Sequence, residues 1–592
     1  MTQLDLHQKK VVCHMKGPLL VAAGPGSGKT RTLIMRIVHL LKQGISPQSI
    51  LAVTFTNKAS MEIRERLKQI IVDNKNKNNS TLPYIGTIHA LCFDILRKEK
   101  KDSFIVIDDI EKTEIIRNLK KEFSGKIVLP VKKYATIVSQ VKTNPDHKLS
   151  KEESTAIGLY NQHLKNIHAL DYDDLLKETE ELLSNDKNAR TRYPERFSHV
   201  LVDEYQDINS LQQTILALLA APQQNLFAIG DIDQSIYRFR GAEPMLFLSF
   251  TKTYPNAMVM YLDTNYRSTE QIIQNATKLI KHNRKRLPLK GVSIVSKGTP
   301  VQLISCQTSR DEAKYIVSTI EKRVGGTSFL YYDSGSDHEQ GDVQFGDIAI
   351  LYRNNSFADF LEKEFIHQGI PYQIIGKNPF WQQVEVRSIV LLLKSLIDPS
   401  YQEHPLITAL PIDFKSLSKI KRESEQIGNI IEKSGIFEEY KQDENAQKNI
   451  ELLLSIIDDI NAGELVEVIS RLSLLSRETY VDKRANCVRL MTLHQSKGLE
   501  FDTVFIAGTE EGYIPSLKDK TEEEIEEERR LFYVGMTRAK NRLYITKTRK
   551  RIIWGKRRLR TPSRFLDELE TDNVEKIHFQ VKRKRKDQIK LC

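Results

Sequence analysis

The sequence predicts an α/β chain with two parallel-sheet cores, each interrupted by a mainly helical insert. Three observations predict it. Short continuous apolar runs rich in β-branched residues, closed by turn chemistry, recur along the chain. Several are followed by stretches of helical spacing such as "SMEIRERLKQII". Strands that alternate with helices build parallel sheets covered on both faces. The runs also fall into two sets, each broken by a long polar stretch of helical pattern.

The first set is "PLLVAAG" (18–24), "SILAVTFTN" (49–57), "SHVLVDE" (198–204), "NLFAIGD" (225–231) and "AMVMYLDTN" (257–265), and it defines a first core over 1–92 and 195–270. The intervening 93–194 reads as a helical insert with a basic stretch, "VKKYATIVSQVKTNP". The second set is "VQLISCQ" (301–307), "DIAILYRNN" (347–355), "RLMTLHQ" (489–495), "TVFIAG" (503–508) and "RLYIT" (542–546). It defines a second core over 271–384 and 481–570, with a second helical insert over 385–480 containing "SIVLLLKSLI" and "IELLLSIIDDI". "DNKNKNNSTLP" and "YYDSGSDHEQGD" read as flexible loops, and 571–592 as a basic tail ending in "VKRKRKDQIKLC", expected to be disordered.

Composition narrows the class. With 40% hydrophobic and 28% charged residues over 592 positions, the chain can bury sizeable cores. No run of about 18 apolar residues is present, so no membrane span is expected. "MTQLDLHQKK" has no apolar leader core, and the five cysteines form no CxxC pair. A zinc knuckle, a cysteine-bound cluster and a disulfide framework are thereby disfavoured, and a cytoplasmic location is expected. The net charge of +12 favours a polyanion partner through counterion release, without deciding the matter alone.

"AAGPGSGKT" (22–30) follows an apolar strand and opens the helical pattern "RTLIMRIVHLLKQG". This is a P-loop with Ala23 in the first glycine position. Gly24, Pro25, Gly26, Ser27 and Gly28 curl the backbone so that N–H groups face phosphate oxygens at a helix N-terminus. Lys29 reaches the β/γ-phosphates and the Thr30 hydroxyl holds Mg²⁺. In "HVLVDEYQD", Asp203 ends a strand and can hold the metal through Thr30 and water, while Glu204 can position or deprotonate the attacking water. The alternatives, a glycine-rich turn and a strand-end cap, do not account for strand, loop, GKT and helix standing in order.

At this point the chain resembles one family closely, the UvrD/Rep/PcrA-like superfamily 1 DNA helicases. The blocks stand in the family's order over almost the whole chain: "LDLHQKKVV", "VTFTNKAS" (53–60), "GTIHALCFDIL" (86–96), "DYDDLL" (171–176), "VDEYQD" (202–207), "AIGDIDQSIYRFRGA" (228–242), "NYRS" (265–268), "DIAILYRNN", "MTLHQSKGLEFDTVFIAG" (491–508) and "EEERRLFYVGMTRAKNRLYIT" (526–546). "PSRFLDEL" (562–569) resembles the end of the family's core.

The resemblance implies two RecA-like cores with ATP and Mg²⁺ between them. Gln8 would read adenine, Tyr266 would stack on it, and Glu500 would contact the ribose. Arg267 and Arg538 would contact the γ-phosphate, and Gln234 would sense it. Phe55 and Phe239 would stack bases, Phe239 standing where the family often has tryptophan. Arg240 would meet the DNA backbone. His89, Arg353 and His494 match positions near the strand, although each histidine is equally consistent with a structural role. The implied partners are single-stranded and tailed duplex DNA, movement being 3′ to 5′, in repair, replication or recombination. The inserts match the family's accessory domains, the second shortened, and no nuclease-like cluster follows. These departures bear on unwinding more than on hydrolysis. The alternative is a DNA-stimulated motor or sensor subunit that acts with a protein partner in a replication or defence complex. A non-catalytic DNA-binding module is disfavoured by the intact Lys29, Thr30, Asp203, Glu204, Gln234, Arg267 and Arg538.

Overall fold

The structure is a computed structural model and describes residues 4–73, 81–100, 102–144, 147–221, 223–325, 343–377, 379–417, 420, 423, 426–460, 462–476, 485–516, 521–553 and 556–580. The loop expected at 331–342 and the distal basic stretch 581–592 lie outside these residues, as does most of "DNKNKNNSTLP".

Six parallel strands form the first sheet in the order Tyr84–Thr87, Ile50–Thr54, His199–Val202, Leu226–Gly230, Leu19–Ala23, Met258–Leu262. Every residue of the four strands from Ile50–Thr54 to Leu19–Ala23 is buried. Burial on both faces explains why they read as unbroken apolar runs rather than alternating ones. The segments that leave their carboxyl ends are the P-loop, Phe55, Asp203–Glu204 and Asp231–Gln234. Ligands of open parallel sheets sit at that edge.

The second sheet runs Tyr372–Ile374, Val488–Thr492, Ile348–Tyr352, Phe501–Ile506, Ala539–Ile553, Val301–Thr308, Val574–Phe579, all parallel. Lys556–Leu559 turns back antiparallel on the far end of Ala539–Ile553. One expectation is corrected here. The tail drawn from residue 571 is not all tail: Val574–Phe579 is an edge strand beside Val301–Thr308. Only Val574, Ile577 and Phe579 turn partly inward, and charged or polar residues separate them. A half-exposed edge strand therefore leaves no apolar run to read.

The inserts are helical, as the pattern predicts. Helices Asp109–Glu122, Val131–Thr143 and Lys151–Asn166 enclose one apolar cluster in the first, while Tyr172–Asn185 packs its Tyr172, Leu175, Leu176 and Leu183 into the core of the first sheet. Asp108, Ser150 and Asp171 each start a helix through a capping box, which satisfies N–H groups that a helix leaves open at its start. Helices Val384–Ser395, Glu444–Asp459 and Leu465–Leu475 build the second insert around its own core.

The two inserts dock on each other. Lys394 Nζ, fully buried, meets Glu111 Oε2 at 2.5 Å. Arg387 reaches Glu114 at 2.8 Å and Asp108 at 3.4 Å. Tyr172 donates its hydroxyl to the Ser473 carbonyl, and the Val106 amide donates to Ser470 Oγ at 3.2 Å. Arg471 pairs with Asp94 on the helix Ile88–Glu99 at 2.9 Å. No described helix is long and apolar enough to cross a membrane.

Candidate functional site

The P-loop is held through its carbonyls, from within and from outside. Lys29 Nζ and Ser27 Oγ donate to the Gly24 carbonyl at 3.3 and 2.8 Å. Asn265 Nδ2 takes the Pro25 carbonyl at 2.5 Å, and the Tyr266 amide takes that of Gly26 at 2.9 Å. Gln8 Nε2 takes the Ser27 carbonyl at 3.0 Å. Gly26 and Gly28 sit at φ of 64° and 78°, in the left-handed region. A Cβ on Gly26 would also meet Asn265 Nδ2 at 2.6 Å. Glycine is thus required twice over, for conformation and for space. Helix Lys29–Lys42 begins at once, its apolar face of Leu33, Ile37 and Leu40 buried against the sheet, so its open N-terminal amides stay at the loop.

Facing the loop is a buried acidic cluster. Asp203 is 5% exposed, and Asp207 and Asp231 are buried with it. Burial, reinforced by Glu204, pushes the Asp203 carboxyl up to about 7. Burial likewise takes Asp207 to about 7 and Asp231 to about 6, against the pull of Lys497 and Lys29 respectively. Burial also pushes Glu204 up, but Lys497 and Lys29 outweigh it and hold this carboxyl below its ordinary value. Glu204 has φ of 52°, uncommon for a residue with a Cβ, and its carboxylate accepts from Gln206 Nε2. Buried carboxylates that are reluctant to ionise fit a divalent cation as their missing counter-charge. Among the described residues no group of three or more ligating side chains could cage a metal alone. Such a site suits Mg²⁺, which keeps waters and shares one or two carboxylates with substrate phosphates.

The second core closes over this cluster. Arg538 is buried, and its Nη2 donates to Gln234 Oε1 at 3.0 Å while Gln234 Nε2 donates to Asp231 Oδ2 at 2.6 Å. Burial, with Arg267 nearby, lowers the Arg538 pKa to about 9. Arg267 pairs with Glu500 at 2.7 Å, and Glu500 also meets Lys540 at 2.9 Å. Glu500, implied as a ribose contact, is therefore engaged by two cations. Tyr266 is partly exposed and donates its hydroxyl to Asp5, whose side chain caps the helix carrying Gln8. Gln8 and Tyr266 thus flank the same side of the P-loop.

Beyond the cleft runs an aromatic row. Phe55 stacks on Tyr237 with ring centroids 4.9 Å apart and planes at 16°. Tyr237 meets Phe239 at 6.0 Å, and Phe239 meets His494 of the second core edge-on at 5.4 Å. Phe239 is 66% exposed, and the Arg240 guanidinium lies 5.6 and 5.7 Å from the Tyr237 and Phe239 rings. Exposed rings beside a cation are what sequence-tolerant base stacking uses. Of the other expected contacts, His89 lies edge-on to Tyr172 at 5.8 Å, and Arg353 is engaged by Glu528 at 2.9 Å.

Residues 4–255 match the UvrD/REP helicase N-terminal domain, and residues 260–404 and 406–550 match the UvrD-like helicase C-terminal domain. The chain belongs to the UvrD-like helicase family. It is similar to the ATP-dependent DNA helicase PcrA of Staphylococcus epidermidis, 31% identical with 96% of this chain and 86% of that protein covered. The protein of the same name from Staphylococcus aureus is 30% identical over the same shares.

Two features of this UvrD-like helicase escaped the reading of the sequence. Lys497 reaches from the second core into the acidic cluster, pairing with Asp207, lying 3.6 Å from Glu204 and donating to the Gln234 carbonyl at 2.8 Å. Its Nζ also sits 5.0 Å from the Tyr237 ring, so one cation touches both the acidic cluster and the aromatic row. The signal was its place in "HQSKGLE", inside a recognised block, but its partners are distant in sequence. The second feature is the hairpin of Ala539–Ile553 with Lys556–Leu559, which continues past the apolar run at 542–546.

Proposed function

We propose that this ATP-dependent DNA helicase of the UvrD type moves 3′ to 5′ along single-stranded DNA and separates duplex ahead of it. The observation that carries the reading is the bridge at Gln234. One side chain links Asp231 of the first core to Arg538 of the second, and it stands three residues before Tyr237. A change at the nucleotide end of this segment is passed to the aromatic row by a short, buried path.

Lys29 and the N-terminal amides of its helix hold the phosphates, and Gln8 and Tyr266 hold the base. Thr30 and Asp203 would hold Mg²⁺, which when bound would supply charge neutralisation for the transferred phosphoryl group. Glu204, kept ionised by Lys497 and Lys29, orients the attacking water and accepts its proton. Arg267 and Arg538 stabilise charge that develops on the transferred group. Phe55, Tyr237, Phe239 and His494 carry the bases. Nucleotide bridging draws the cores together, and hydrolysis releases them, a two-state cycle driven by contacts made in only one state.

The test is ATPase with and without single-stranded DNA, beside unwinding of 3′- and 5′-tailed duplexes. Stimulation by single strands and unwinding of the 3′-tailed duplex alone are expected. If the purified chain hydrolyses ATP on single strands but leaves both duplexes intact, it is a motor that works with a partner in a repair, replication or defence complex. Gln234→Ala is expected to bind nucleotide and DNA within about threefold of wild type while losing DNA stimulation, a split that a mere connector would not give.

A further inference from the structure

Arg36 is a buried cation that no carboxylate answers among the described residues. It lies about two turns beyond Lys29 on the helix Lys29–Lys42. Its Nη1 donates instead to main-chain carbonyls, those of Val11 at 3.0 Å, Val12 at 3.4 Å and His14. These are open carbonyls at the end of the helix Leu6–Cys13, where the helix dipole favours a cation. The guanidinium centre also lies 4.7 Å from the ring of Phe227, on the strand Leu226–Gly230 that leads to Asp231 and Gln234. Burial lowers the Arg36 pKa to about 10, so the group stays charged at neutral pH. Donating through a planar fork while stacking on a ring is a property of arginine that lysine lacks.

The helix that Arg36 holds carries Gln8. Its 8 residues are too few for a helix to stand alone in water. Its contribution to the apolar cluster of the first core is Val11, so polar ties at its two ends do much to place it. At the start, Asp5 caps the helix and accepts the Tyr266 hydroxyl. At the end stands Arg36. Between these ties Gln8 is buried, its Nε2 on the Ser27 carbonyl at 3.0 Å and its Oε1 on the Asp5 amide at 3.2 Å. The Val11 carbonyl that Arg36 takes is less than one turn along from Gln8, about 4.5 Å of helix. A glutamine amide pairs with adenine through N6 and N7, one donor and one acceptor, whereas guanine presents two acceptors there. Discrimination of that kind depends on where the amide is held.

We propose that Arg36 is a positioning residue for base selection: it locks the helix of Gln8 to the P-loop helix, so that the Gln8 amide keeps the place that accepts adenine and rejects guanine. This rests on the reading above that Gln8 holds the base. The test uses the full chain on saturating single-stranded DNA, with ATP and GTP as substrates, for wild type, Arg36→Met, Arg36→Lys and Gln8→Ala. Expected for Arg36→Met are a KM for ATP raised about tenfold or more, a kcat within about twofold of wild type and a KM for GTP within about twofold, so that the preference for ATP falls about tenfold. Amides of 6–13 should exchange faster in that variant. Arg36→Lys keeps the charge without the fork or the stack and should lose about threefold in preference, which decides the matter if the methionine variant does not fold. Adding Gln8→Ala to Arg36→Met should lower the preference no further. A residue that only supports the fold would lower the melting temperature and the turnover of both nucleotides in parallel. That outcome, or an unchanged preference in both Arg36 variants beside a Gln8→Ala variant that loses it, would overturn the assignment. If Gln8→Ala itself keeps the preference, the reading of Gln8 fails and the role of Arg36 falls with it.

Discussion

The chain has two internal seams, and they are built on opposite principles. The nucleotide cleft gathers Asp203, Glu204, Asp207 and Asp231 around Lys29 and Lys497, a set whose acids outnumber its lysines; Asp203, Asp207 and Asp231 hold protons unusually well, and Glu204 alone of the four is held low. The seam between the inserts pairs its buried charges closely. Glu111 is pushed up by burial, but Lys394 and Arg387 outweigh that and hold it low. Among the described carboxylates of that seam Asp108 is raised, by burial and its neighbour Glu111. An unsatisfied seam waits for a ligand and changes when it arrives, whereas a satisfied one holds its shape. The contrast predicts that motion concentrates at the cleft while the docked inserts act as a brace.

The contrast can be broken at either seam. The largest effect is expected at the cleft: Arg538→Ala should lower ATP turnover on the order of 10³-fold or more in steady-state assays, with the melting temperature nearly unchanged. At the brace, Lys394→Ala strands Glu111 and should destabilise the docked inserts by about 3–5 kcal/mol, seen as faster proteolysis within 385–475. Lys394→Met with Glu111→Gln should recover most of that loss. If Lys394→Ala instead changed turnover and left proteolysis alone, the division between the seams would be wrong.

Smaller changes sharpen the picture. Phe239→Ala should weaken single-strand binding by about 1–3 kcal/mol, and Phe239→Trp should strengthen it, both read by fluorescence titration. Asp207 gives the smallest effect. Its folded pKa of about 7 lies above the unfolded value, so its contribution to stability is full below about pH 4 and is lost as pH rises through 7. The ligand-free protein should lose about 1 kcal/mol from this group between pH 6 and 8, and Asp207→Asn should flatten that slope in denaturant titrations.

Legibility in the sequence followed locality. The P-loop and Asp203 sit in short runs where a strand ends and a loop begins, so spacing located them, whereas Gln234 and Arg538 were marked only by the family blocks that contain them. Lys497 could not be assigned a task because Asp207 and Gln234 lie in the other core. Lys394 sits inside "SIVLLLKSLI" and reads as one polar break in an apolar helix, yet it is fully buried against a carboxylate of the other insert. Arg36 is one basic residue among many, distinguished only by one ring and by carbonyls brought from the helix of Gln8. The edge strand Val574–Phe579 failed for a different reason, being too polar to resemble a strand.

That edge strand bears on the order in which the protein can be made. The first sheet is complete once Leu262 has been synthesised. The strand Val301–Thr308, by contrast, lies between Ala539–Ile553 and Val574–Phe579, both supplied near the far end of the chain. On the ribosome the first core can close while the second holds a strand with both edges bare. Bare edges recruit other chains. The nascent protein is therefore most exposed to aggregation, and most dependent on chaperones, during the long interval in which its inserts are already folding.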